Sequence, residues 1–131
     1  MGVLARRIRR VIAERARMLD PDLSPVAYSM MMALRDTGPQ RASALVEVFS
    51  IDKGAVSRQV QALLELGLIE RTPDSEDKRA MILAITEEGR RRMANLSLAR
   101  RHEVSARLEN WTDDELRAFV RSLGRYNAAL E

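Results

Sequence analysis

Apolar side chains recur along this chain at two spacings, one helical and one extended, and the switches between them mark out the elements. Leu4, Ile8, Val11, Ile12 and Met18 fall close to i, i+4, i+7 and i+8, which predicts an amphipathic helix with an arginine-rich opposite face. The stretch LDPDLSP breaks it. Ser24 is a good N-cap, and Pro25 sits at the first helical position, where its missing N–H costs nothing. Val26, Met30, Met31 and Leu34 give the second helix its stripe, and RDTGP ends it with Gly38 near the C-cap. A short helix over Arg41 to Phe49 shows Ala42, Leu45, Val46 and Phe49 on one side. Asp52 can cap a longer one running to about Leu66, closed by Gly67. The spacing then becomes extended: LIERT and RAMILAIT read as strands, with Met81, Leu83 and Ile85 alternating against Ile82 and Ala84, and PDSEDK supplies the turn. After Thr86, a cap, comes a long charged helix with Met93, Leu96, Leu98, Val104 and Leu108. Thr112 and Glu115 form a capping-box pattern that opens a last helix. The predicted fold is mainly α with a small β-hairpin.

Composition narrows the function. The 131 residues are 46% hydrophobic and 31% charged, ordinary globular material without a run long and apolar enough to span a bilayer. No signal peptide is read at the basic N-terminus, so a cytoplasmic protein is expected, with no membrane partner. Cysteine is absent, which excludes thiolate catalysis and disulfides. The one histidine, His102, lies on a charged helical face and cannot build a multi-histidine metal site. No nucleophile motif or phosphate loop is present. Asp74, Glu76 and Asp77 resemble a metal site only by count. The expectation is a non-enzyme without metal or cofactor.

Charge shifts attention to placement. Residues 1–20 hold six arginines against Glu14 and Asp20, a net of +4, whereas residues 39–86 hold six basic residues against seven acids, a net of −1. If the middle segment touches nucleic acid, it does so by where its cations stand, not by bulk charge.

A short helix, a tight turn, a second helix and a hairpin form the layout of a winged helix-turn-helix. At about 100° per residue, Val56, Val60, Leu63 and Leu64 face a core, while Gly54, Arg58, Gln61 and Glu65 face outward with Ser57 on the flank. Arg58 can pair with guanine and Gln61 with adenine. Lys53, Ser57 and the first N–H groups suit phosphates, and Gly54 lets the backbone come close. The same face reads equally well as a plain solvated surface. In extended chain, residues two apart share a side, which places Asp77 beside Arg79 as a hydrogen-bonded support for its guanidinium; the plainer alternative is an exposed salt bridge worth ~0–1 kcal/mol. Asp74 and Glu76 show no role beyond keeping the turn soluble.

The stretch DKGAVSRQVQALLELGLIERTPDSEDKRAMILAITEEG resembles the MarR (multiple-antibiotic-resistance regulator) family of transcription regulators. The likeness rests on the VSRQV and GLIER portions, the Asp77-Lys78-Arg79 wing signature, and a strand ending in Thr before a glycine-containing helix start. It covers nearly the whole chain. The resemblance implies one MarR-like domain over 1–131, with 1–22 and 87–131 as dimerisation helices around a winged helix-turn-helix at 23–86. It implies a DNA-reading helix with Lys53, Gly54, Ser57, Arg58 and Gln61, and a wing whose Arg79, beside Asp77 and Lys78, enters the minor groove. It further implies a homodimer joined through Leu4, Ile8, Val11, Ile12, Leu116, Phe119, Val120 and Leu123, on a palindromic site of half-sites ~10 bp, or a multiple of that, apart. A cleft for a small aromatic or lipophilic ligand is implied as well, and Met30, Met31 and Trp111 are its candidates, although a methionine stripe at helical spacing is more often plain core. The expected function is a sequence-specific, DNA-binding transcription repressor; the alternative is a winged-helix protein-interaction module that does not read DNA.

Overall fold

The computed structural model describes residues 2–130. Its elements run α1 (Gly2–Leu19), α2 (Pro25–Thr37), β1 (Gln40–Arg41), α3 (Ala42–Phe49), α4 (Lys53–Glu65), β2 (Ile69–Pro73), β3 (Met81–Ile85), α5 (Glu87–Leu108) and α6 (Asp113–Ala128). The chain divides into two compact units, residues 1–97 and 98–131. Among the described residues no helix is long and apolar enough to cross a membrane.

The caps fall where the side-chain chemistry puts them. Ser24 accepts the Ala27 N–H, Asp52 accepts that of Ala55, and Thr112 and Glu115 complete a reciprocal capping box. Each satisfies a donor that the first helical turn leaves without a partner. Gly38 and Gly67 take φ of +80° and +67°, conformations in which a Cβ is strained.

The first unit has a core of Leu23, Ala27, Tyr28, Met30, Met31, Leu34, Leu45, Val56, Leu63, Leu68, Ile69, Leu83 and Ile85, with Ala16 and Leu19 from α1 and Met93 from α5. Three details depart from the sequence expectation. On α2 the inward stripe continues from Met30, Met31 and Leu34 back to Ala27, and Val26 is left exposed, because three- and four-residue steps from that cluster reach position 27. On α1 the core is met by Ala16 and Leu19, while Leu4, Ile8 and Met18 stay exposed and Ile12 packs partly against the core. Third, Arg41 belongs to a two-residue strand instead of the start of α3. That strand makes the sheet three-stranded, ordered β1-β3-β2, with Gln40 opposite Leu83 and Arg41 opposite Ile82. A hairpin alone is marginal, and this third strand ties the wing to α3.

The helix after the hairpin starts at a close contact. Thr86 donates its hydroxyl to the Gly67 carbonyl at 2.7 Å and accepts the Gly89 N–H at 3.0 Å, while its own N–H reaches the Leu68 carbonyl at 3.1 Å. Farther along, Arg92 bridges Glu88 of α5 and Asp20 of the α1–α2 connection. In the second unit Trp111 packs edge-on against Phe119, ring centroids 5.7 Å apart.

Candidate nucleic-acid interface

Helix α4 presents its two faces as its spacing predicts. Val56 and Leu63 are buried, Val60 and Leu64 half-buried, and Lys53, Gly54, Ser57, Arg58 and Gln61 are all exposed along the opposite side. Two anchors hold the helix in place. Its first turn is capped by Asp52, and its middle is tied to α2 by Ser24, whose hydroxyl donates to Gln59 Oε1 at 2.6 Å while capping α2. Sequence reading missed this second use of Ser24, since its partner lies 35 residues away. Gln61 donates its amide to Glu65 Oε1 at 3.1 Å, one turn along the same face. A base edge has to displace that bond to read Gln61.

The wing is built differently from the expectation at one point. Residues 77–79 form a turn, not extended chain. Asp77 Oδ1 accepts the backbone N–H of Arg79 at 3.0 Å, and no ion pair joins the two side chains among the described residues. In a turn the two-residue alternation of a strand does not apply. Asp77 therefore shapes the backbone under Arg79 and does not grip its guanidinium.

The wing acid with a charged partner is Asp74, which the sequence reading left without a role. Among the described residues it is the buried charged residue. Its Oδ1 accepts the Glu76 N–H at 3.0 Å and its Oδ2 accepts Arg41 Nε at 2.6 Å. The Glu76 N–H and then the Arg41 guanidinium hold its carboxyl below the usual aspartate range, against the opposing effect of burial. The backbone half of this role was legible, since an aspartate opening a turn accepts the N–H two residues on. The Arg41 half was not, because 33 residues separate the pair.

Between α3, α4 and the wing lies an open cleft of about 560 Å³. Arg41, Lys53, Arg71 and Arg79 line it against a single acid, Glu47, with Val46, Val56, Val60 and Leu83 among its apolar lining. This resolves the charge puzzle of the middle segment. Asp52 turns an oxygen to the α4 N-terminus, the buried Asp74 is paired with the exposed Arg41, and Asp77 serves the wing backbone. Among the described residues, Lys53, Arg58, Arg71, Lys78 and Arg79 form no ion pair with a carboxylate. The cations of α4 and of the wing are left outward and uncommitted, which is what phosphate contact requires.

The other candidate residues are placed as follows. Met30 and Met31 are wholly enclosed in the first unit's core, and Trp111 is a partly exposed residue of the second unit. Phe119, Val120 and Leu123 are exposed on α6 and Leu116 is half-buried; on α1, Leu4 and Ile8 are exposed and Val11 and Ile12 half-buried. Among the described residues no group of acids and histidine stands ready for a metal.

A model of the MarR family matches residues 23–81, which run from α2 through the first residue of β3. The HTH-type transcriptional regulator YxaD of Bacillus subtilis is 31% identical over 108 residues, spanning 82% of this chain and 76% of that protein. This chain belongs to the MarR family. The HTH-type transcriptional repressor NicR of Pseudomonas putida is 31% identical over 70 residues, 53% of this chain; the match spans 44% of NicR, less than half its length. The crystal structure of a mutant MarR from E. coli complexed with operator DNA shares the fold, with a TM-score of 0.67 at 23% identity over 95% of this chain and 91% of that one. These relatives are named as transcriptional regulators, not enzymes.

Proposed function

We propose that this protein is a sequence-specific DNA-binding transcription regulator that acts as a homodimer and represses by occupying a promoter. The observation that carries the reading is the set of outward, unpaired cations on two adjacent elements: Lys53 and Arg58 on α4, and Lys78 and Arg79 at the wing. With α4 in the major groove, Arg58 is the residue for a guanine edge, and Lys53 and Ser57 meet phosphate beside the positive helix end. The wing then falls on the flanking minor groove, whose negative potential is strongest where A·T-rich sequence narrows it; Arg79 is the residue for that groove. Repression is supported by the name of NicR, and DNA binding by the operator complex of the E. coli relative.

The dimer rests on unsatisfied apolar surface. Phe119, Leu123 and Tyr126 lie within a narrow strip of α6, and all three are 46–52% exposed. Leu4 and Ile8 do the same on α1, at 61% and 50%. Stripes of this kind, on two helices, mark an interface. A second copy covers them and sets two recognition helices about one helical turn apart, ~10 bp. A regulator of this kind works in the cytoplasm, where the genome is.

The test is a selection of bound duplexes from random DNA, run on wild type and on Arg79→Ala in parallel. The expected result is a palindromic motif with half-sites about one turn apart, retained in its centre but weakened at its A·T-rich flanks by the substitution. Absence of any enriched motif for wild type overturns the reading in favour of a winged-helix protein-interaction module.

A further inference from the structure

The wing tip, residues 74–80, is closed upon itself. The Asp74 N–H donates to the Ala80 carbonyl at 3.0 Å, the Ala80 N–H to the Asp77 carbonyl at 2.9 Å, and the carboxylates of Asp74 and Asp77 accept N–H groups two residues on. Among the described residues, one hydrogen-bonded side-chain link leaves this tip for the rest of the protein: Arg41 to Asp74, through Nε and Nη2 to the same Oδ2. Arg41 is also the residue at which β1 becomes α3. Its backbone pairs with Ile82 of β3, while its side chain reaches the turn that follows β2. The pair therefore spans the sheet from its β1 edge to the far end of the wing, at the point where β1, two residues long, provides no further ladder.

We infer that the Arg41–Asp74 pair is a latch that sets the angle between wing and recognition helix, making Arg41 a positioning residue for DNA recognition through Arg79. This rests on the DNA-binding reading above. Two groups that read neighbouring grooves act together only if the distance between them is held; a wing free to swing meets the minor groove at an ordering penalty. The latch suits that task. It is charge-assisted, its acid is buried, and the guanidinium presents a planar pair of donors that lysine lacks. Asp74 is 8% exposed and its charge is met by Arg41, while Arg71 and Arg79 remain on the cleft surface without a carboxylate partner among the described residues.

The inference is tested with the selected duplex and a double-mutant cycle between the latch and Arg79. Arg79→Ala is measured in wild type, in Arg41→Gln and in Asp74→Asn by fluorescence anisotropy, with thermal melts on each variant. The expected result is that Arg79→Ala weakens binding ~10-fold in wild type and less than ~2-fold once the latch is broken. Asp74→Asn is the sharper arm, because it removes a negative charge: electrostatics alone makes it bind more tightly, whereas the latch makes it bind more weakly. Arg41→Lys keeps the charge and loses the fork, and serves if the glutamine variant does not fold; it is expected to show the same loss of dependence on Arg79. An undiminished effect of Arg79→Ala in latch variants that fold overturns the inference and makes Arg41 a separate phosphate contact or a plain structural residue. Failure of wild type to select any duplex overturns the DNA reading itself, and the latch with it.

Discussion

Gly89, in the first turn of α5, offers a sign test of packing against helix propensity. In an open helix, alanine for glycine stabilises by ~1 kcal/mol, because the backbone has less freedom to lose. Here an added Cβ lies 2.3 Å from the Leu68 carbonyl oxygen and 2.8 Å from Ile85 Cγ1. Neither neighbour gives way easily: Leu68 and Ile85 are both buried, and the same carbonyl accepts the Thr86 N–H. Restoring ordinary contact requires the helix start to move by roughly 1 Å in a close-packed interior. Overpacking of that kind costs ~1–3 kcal/mol, and loosening one or two of the Thr86 bonds adds ~0.5–1.5 kcal/mol each. After the propensity gain, Gly89→Ala should lose about 0.5–5 kcal/mol, read as a lower urea midpoint at unchanged slope and a Tm lowered by roughly 2–20 °C. Gly124 of α6 is the internal control, since a Cβ there meets nothing within 4 Å, and Gly124→Ala should be neutral or stabilising by up to ~1 kcal/mol. A Gly89→Ala variant as stable as wild type would refute the close approach of α5 to the sheet.

Three further outcomes bear on the interface. Asp77→Asn should bind DNA within ~2-fold of wild type, because an amide oxygen still accepts the Arg79 N–H, whereas Asp77→Ala should bind ~5-fold more weakly; equal weakening of the two by anisotropy would restore the carboxylate–guanidinium clamp. Arg58→Ala should cost ~1–3 kcal/mol and relax preference at one base position, while Lys53→Ala should weaken binding uniformly and reduce the salt slope by ~1; a uniform loss for Arg58→Ala across all sequences would remove it from base readout. Leu123→Glu, placing charge in the exposed α6 strip, should shift the sedimenting species from dimer to monomer at micromolar protein, and an unchanged mass would locate the dimer contact elsewhere.

Most of the elements were legible in the residues because their causes are local. A capping serine, aspartate or threonine acts within three positions, as Ser24, Asp52 and Thr112 do. A helical stripe repeats within two turns, so the outward set on α4 followed from spacing alone. The resemblance in the wing signature and recognition helix likewise needed only contiguous sequence. What escaped was decided by residues distant in the chain. The β1 strand is two residues long and exists because β3 passes beside it. Asp74 looked like a solubilising acid until the fold brought Arg41 to it across 33 positions, and Ser24 found Gln59 across 35. The wing tip was misread for a related reason: alternation holds only in extended chain, and residues 77–79 are turned by bonds that close the tip on itself. Local hydrogen-bonding and periodicity therefore specify which segments are helices and which face of each is apolar. Only the tertiary structure decides that Asp74 holds Arg41, because an ion pair between residues far apart in the chain depends on side-chain position in space and, unlike a helical i,i+4 pair, leaves no trace in spacing.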